Sequence, residues 1–244
     1  MRFIPLASSS AGNAYIVDDG ESRLLLECGL TFKKLQKLSG FDIHVAGCLV
    51  THEHGDHAKC YPQLLKNGVR VYATEGTRDA LEEPLLDVME RDGADTYKEF
   101  IIGSFRVLPF RTFHDAREPV GFLIQSRADA DKLAFATDTV NLAYQFPGVG
   151  IMAIECNHGD HLVKRIAELP KDKVKHLKRA SNTHMSLSRC YDFLLTLDKT
   201  WLREVWLLHL SDAFSDEEAF RRAAEIAVGG GVTVRAARKE IKNE

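Results

Sequence analysis

The chain has 244 residues, of which 45% are hydrophobic and 27% charged, and its formal charge at pH 7 is −3. Such a length holds one large domain with a full core or two small ones, and the composition is that of an ordinary soluble globular protein. The slight negative charge argues against a protein whose main task is gripping nucleic acid, because such domains carry a strong positive excess, although a local basic patch is compatible with it.

Taken in chain order, short strand-like runs crowd the first half. Residues 3–6, 14–17 and 23–26 are apolar runs separated by Gly and Asp turn signals such as Asp18-Asp19-Gly20. Helical spacing follows at 31–38, where Phe32, Leu35 and Leu38 are apolar. Residues 45–50 read as a buried strand, 59–66 as a helix, 69–73 as a strand and 77–81 as a short helix. Further strands are expected at 105–110, 120–125, 132–136, 150–154 and 204–208, and helices at 187–197 and 215–227. The last begins Ser-Asp-Glu-Glu, an N-cap followed by acids in the first turn. Several strands follow one another without helices between them, which suggests two packed sheets with helices outside, in a single domain over 1–244. The five cysteines (Cys28, Cys48, Cys60, Cys156, Cys190) are odd in number and widely spaced, as expected of free thiols in a reducing cytosol. The N-terminal apolar stretch is too short for a signal peptide and no apolar run spans a bilayer, so no membrane partner and a cytoplasmic location are expected.

The chemistry concentrates in Thr51-His52-Glu53-His54-Gly55-Asp56-His57, directly after the apolar Cys48-Leu49-Val50. Neutral imidazole nitrogen and carboxylate oxygen are the donors that zinc takes at about 2.0–2.2 Å. His52 and His54 alternate along an extended turn, while Asp56 and His57 begin the next helix. Four donors so close are more than one ion accepts readily, which suggests two neighbouring ions.

His52-x-His54-x-Asp56-His57 resembles the signature of the metallo-β-lactamase superfamily. The resemblance extends to Phe113-His114-Asp115, to Phe135-Ala136-Thr137-Asp138, and to Leu208-His209-Leu210-Ser211, in the expected order over nearly the whole chain. It implies an α/β fold of αββα type and two divalent metal ions, Zn²⁺ or alternatively Mn²⁺. One ion would be held by His52, His54 and His114, the other by Asp56, His57 and His209, with Asp138 touching both. Asp56 and Asp138 are thereby counted among the catalytic residues together with His184, the candidate acid for the leaving oxygen. His158 and His161 are candidates to line the pocket or orient ligands, and His44 and His176 read as surface residues.

The opening Ala7-Ser8-Ser9-Ser10-Ala11-Gly12-Asn13 resembles a phosphodiesterase branch of the superfamily. That branch includes the phage and bacterial anti-Pycsar phosphodiesterases and the YycJ/WalJ-type exonucleases. The segments 54–59, 183–187 and 208–212 are more similar to the anti-Pycsar group, whereas the exonucleases have Gly-His-x-Ser-Asn where this chain has Ser181-Asn182-Thr183-His184. The reading placed first is therefore hydrolysis of 3′,5′-cyclic mononucleotides (cCMP and cUMP, with cAMP and cGMP as further substrates) by a homodimer, in the host cytoplasm if phage-encoded. A 5′–3′ DNA exonuclease is the alternative, and only there does nucleic acid become a partner. The basic stretch Lys164, Arg165, Lys171, Lys173, Lys175, Lys178 and Arg179 is read as a solvated helix face rather than a phosphate track. A thioester hydrolase of the glyoxalase II kind ranks low, because Ala58-Lys59-Cys60 stands where that group has Gly. A metal-binding scaffold without activity is set aside because all seven ligand positions are present.

Overall fold

The computed structural model describes residues 1–40 and 42–238; residues 239–244 of the expected domain lie outside them. Two compact units emerge, one of Met1–Arg111, Ala116–Leu133 and Arg238, the other of Thr112–Asp115 and Ala134–Ala237.

In the first unit, β1 (Arg2–Ala7), β2 (Ala14–Asp18) and β3 (Arg23–Leu26) form an antiparallel meander. The Asp-Asp-Gly signal makes the second turn in a definable way. Asp18 Oδ1 accepts the Gly20 N–H at 2.8 Å, and Asp19 Oδ1 accepts the N–H groups of Glu21 and Ser22 at 3.0 and 2.9 Å. Gly20 takes the positive φ that closes it. Three strands then add in parallel: β4 (Gly47–Leu49), β5 (Val71–Ala73) and β6 (Asp87–Val88). Parallel neighbours need crossovers, and helices supply them. They are α1 (Phe32–Leu38), capped by Thr31, then α2 (Gly55–Ala58) and α3 (Tyr61–Lys66), then α4 (Glu75–Leu81), capped by Thr74. Leu25, Leu35, Cys48, Leu64 and Val71 share one core cluster beneath them. An antiparallel run of β7 (Phe100–Ile102), β8 (Phe105–Arg111) and β9 (Val120–Ser126) completes the unit. The turn carboxylate Asp19 also accepts the hydroxyls of Ser104 and Ser126 at 2.6 and 2.9 Å, tying the meander to that run.

The chain enters the second unit within β10 (Lys132–Ala136). There β11 (Ile151–Glu155), β12 (Glu204–Leu208) and β13 (Thr233–Ala236) run parallel, with α5 (Asp160–Lys164), α6 (Lys171–Thr183) and α7 (Leu187–Thr196) between the first two and α8 (Glu217–Val228) between the last two. The expected elements are present, several with shifted ends. The strand expected at 69–73 starts at Val71, because Val69 N–H instead closes the preceding helix on Leu64 C=O at 3.0 Å. The helix expected from Lys59 starts at Tyr61, where Pro62 in the first turn suits a helix start. The last helix is capped by Asp216 rather than Ser215, whose hydroxyl donates back to Ser211 C=O. Among the described residues no helix is long and apolar enough to cross a membrane.

Burial disfavours the charge on Asp18, but the Gly20 N–H and the guanidinium groups of Arg23 and Arg2 outweigh it and hold the carboxyl below its ordinary value. A depressed carboxylate stabilises the fold above its unfolded pKa of about 3.9, and that contribution is lost as pH falls through the folded value. Asp18→Asn should therefore melt lower than wild type at pH 7, with the gap narrowing below about pH 4. Melting curves at pH 7 and pH 3 check this; a gap that does not change with pH would speak against it.

Candidate metal centre

The polar residues singled out in the sequence stand at the ends of strands. After β4 the chain leaves through Val50 and Thr51 into His52 and His54, and His54 is the residue before α2, which carries Asp56 and His57. His52 Nε2 and His54 Nδ1 lie 3.1 Å apart, His57 Nε2 is 3.4 Å from Asp56 Oδ2, and the rings of His52 and His57 are centred 4.2 Å apart. Two ligands on one tetrahedral ion with bonds of about 2.0–2.1 Å are separated by roughly 3.3 Å. These pairs have that spacing, so the first unit's donors fit metal ligation.

Their backs are held. Thr51 Oγ1 is 2.9 Å from His52 Nδ1, and the buried Glu27 presents Oε1 3.6 Å from His57 Nδ1. Burial pushes the Glu27 carboxyl up, against the pull of His57. Asn13, the end of the Ser-rich opening, braces the same turn. Its backbone N–H donates to Asp56 C=O at 2.8 Å, and its Nδ2 lies 3.2 Å from both that carbonyl and His57 Nε2. Gly29 lies against the same peptide: a Cβ built there would sit 1.6 Å from the Asp56 carbonyl oxygen.

In the second unit, His114 follows β8, Asp138 follows β10, and His209 follows β12. His114 Nδ1 donates to Thr183 C=O at 2.8 Å, which leaves Nε2 as the lone-pair nitrogen, 3.5 Å from Asp138 Oδ2. Burial holds the His114 pKa below its ordinary value despite the Asp138 charge, favouring the neutral, ligating form. His209 Nδ1 is 3.3 Å from Asp138 Oδ1 and His184 Nδ1 is 3.8 Å from Asp138 Oδ2. Asp138, Glu155, His184 and His209 each offer a ligand atom within 4.8 Å of the others.

Glu155, the last residue of β11, was not among the residues singled out in the sequence. It is fully buried, and the parallel register sets it level with Leu208, one residue before His209. Its Oε1 accepts from His184 Nδ1 at 2.7 Å and His209 Nδ1 at 3.1 Å, and its Oε2 accepts the N–H groups of Thr139 at 2.8 Å and Met185 at 3.1 Å. Burial would raise its pKa, but the imidazoles of His184 and His209 bring it below the ordinary value. Burial works against charge on His184, yet Glu155 outweighs it and raises the imidazole's pKa. The only sequence signal was an acid closing a buried apolar strand, 151–155.

The orienting role expected of His158 and His161 falls to Glu155. His158 is buried with its Nδ1 lacking a hydrogen-bond partner among the described residues, and His161 is exposed. His44 and His176 are exposed, as read from the sequence. Asp138 and His209, with Glu27, have left-handed backbone (φ +43°, +53° and +64°), a conformation that costs non-glycine residues on the order of 1–3 kcal/mol.

A family model described as the β-lactamase superfamily domain matches residues 22–210, and the chain belongs to that family. The solved metallo-β-lactamase-fold protein YhfI from Bacillus subtilis has a similar structure, with a TM-score of 0.70 over 99% of each chain at 16% identity. The fold is the metallo-β-lactamase α/β sandwich, one domain over nearly the whole chain. The sequence is 32% identical over 181 residues to exodeoxyribonuclease YycJ of Bacillus anthracis, covering 67% of this chain and 66% of that protein. It is 28% identical over 177 residues to exodeoxyribonuclease WalJ of Streptococcus pneumoniae, covering 67% and 65%. The chain thus spans just under two thirds of the length of these relatives.

Two predictions follow from the geometry. Glu155→Gln should keep the fold but weaken metal binding on the order of 10- to 100-fold, because the carboxylate orients His209; competition with a chromogenic chelator reads this, and unchanged affinity would remove Glu155 from the site. Gly29→Ala should displace the Asp56–His57 peptide and lower metal affinity although Gly29 offers no ligand atom; a wild-type titration would show that the turn tolerates the shift.

Proposed function

We propose that this protein is a dinuclear metal-dependent hydrolase of phosphodiesters, and that its substrate is DNA, degraded from an end. The identity to two exodeoxyribonucleases carries the substrate reading and reverses the order expected from the local motifs. His52, His54 and His114 would hold one ion, and Asp56, His57 and His209 the second, with Asp138 shared; the donor chemistry supports this grouping. Ions held there would supply an activated water and offset the charge that develops on the phosphoryl oxygens.

The remaining work falls to the side chains. Glu155 fixes His184 through Nδ1 and favours its protonated form, which leaves Nε2–H as the donor for the departing oxygen. Backbone contacts on DNA would come from α6, where Lys171, Lys173, Lys175, Lys178 and Arg179 are all exposed. The second reading, opening of 3′,5′-cyclic mononucleotides by a homodimer, is favoured by Ser181-Asn182-Thr183-His184, which departs from the exonuclease pattern, and by the formal charge of −3.

The test is hydrolysis of a 5′-phosphorylated single-stranded DNA beside cCMP, cUMP, cAMP and cGMP by zinc- or manganese-loaded protein. Shortening of the DNA is expected, with rates that fall steeply as salt rises. Rapid opening of the cyclic nucleotides with intact DNA would move the protein to the second reading. In either case His184→Ala should lower kcat by about 10²- to 10⁴-fold with metal content unchanged. Full activity of that variant would cancel the acid assignment.

A further inference from the structure

Phe113, one residue before His114 in the second unit, has 44% of its surface exposed. A single exposed apolar side chain is ordinary; what marks this one is its place. It lines a cavity of about 720 Å³ together with Tyr144, Asn141, Gln145, Arg189 and Asp192, within the roughly 300–1,000 Å³ of small-ligand sites. The cavity is fastened to the ligand-bearing segments. Phe113 N–H donates to Thr139 Oγ1 at 3.0 Å, Val140 N–H donates to Phe113 C=O at 2.9 Å, and Arg189 Nη1 donates to Val140 C=O at 3.2 Å. Its wall therefore begins one residue from His114 and two from Asp138.

The lining selects a ligand class. Three aromatic rings (Phe113, Tyr144 and Phe193) stand in the lining, two amides offer both donors and acceptors, and the single guanidinium is offset by the Asp192 carboxylate. A run of phosphates would meet too little positive charge here. A neutral, planar heteroaromatic ring with hydrogen-bonding edges meets what the cavity offers, since bases stack on aromatic side chains and are read at their edges by polar groups.

We infer that this cavity is the subsite for the nucleobase next to the scissile phosphate, with Phe113 as its stacking platform. The inference rests on the phosphodiesterase reading and names which part of the substrate that site holds, whether the substrate is a DNA end or a cyclic mononucleotide.

Calorimetric titration of metal-loaded protein with thymidine 5′-monophosphate and with 2-deoxyribose 5-phosphate, which lacks only the base, tests it. Wild type should bind the nucleotide tighter on the order of tenfold. Phe113→Ala should erase that difference while leaving the sugar phosphate as before, and Phe113→Trp should retain it. Equal binding of both probes by wild type, a difference that survives Phe113→Ala, or an equal loss for both probes in both variants would overturn the subsite. A protein that shows the base-dependent difference yet cleaves neither DNA nor cyclic nucleotides would keep the subsite and overturn the reaction assigned above.

Discussion

A fully buried carboxylate is tolerated only when its lone pairs are satisfied, and Glu155 organises the second unit's chemistry by that requirement. Two backbone N–H groups, from Thr139 and Met185, fix one of its oxygens, and two imidazoles share the other. The Thr139 and Met185 contacts place the turn after β10 and the turn before α7 relative to β11. Asp138 and His184, one residue away from those N–H groups, are located as a consequence. The bond to His209 Nδ1 then decides which nitrogen of that ring is available for a metal. One side chain thus couples four segments distant in sequence, and its loss would loosen the site before it loosened the sheet.

The first unit solves the same problem with weaker means. Glu27 stands behind His57, but at 3.6 Å and with burial pushing its carboxyl up. Position there is set more by backbone packing: Asn13 and Gly29 both close on the Asp56 peptide. The left-handed backbone of Glu27, Asp138 and His209 belongs to the same economy. Strain of this kind persists where the surroundings over-determine a residue, and three instances at or beside the candidate donors show how tightly these turns are constrained.

The clustered donors were legible because metal ligation demands particular atoms at particular spacing, and His52-x-His54-x-Asp56-His57 is a short-range pattern of such donors. The strands were legible where apolar runs ended at Gly and Asp turns, as at 14–17 and 23–26. Glu155 escaped because its importance lies in register: nothing in 151–155 says that Leu208 stands beside it, and that pairing is what brings His209 within reach. Strand β13 escaped for a related reason, since Thr233–Ala236 is short and half polar and becomes a strand by pairing with β12. Helix α6 was read as charge more than as structure, although Leu177 and Ala180 are buried on its inner side. The substrate reading from local motifs favoured cyclic nucleotides; similarity over most of the chain favours DNA.

The proposed reaction depends on two bound divalent ions. The most direct measurement is the stoichiometry of zinc and manganese binding to metal-stripped protein, by calorimetry with elemental analysis of the reconstituted sample. Two ions per chain are predicted, with Asp138→Asn reducing the affinity for both, as the proposed sharing of that carboxylate requires. A chain that binds one ion or none at saturation, or an Asp138→Asn variant that still binds two with wild-type affinity, would contradict it.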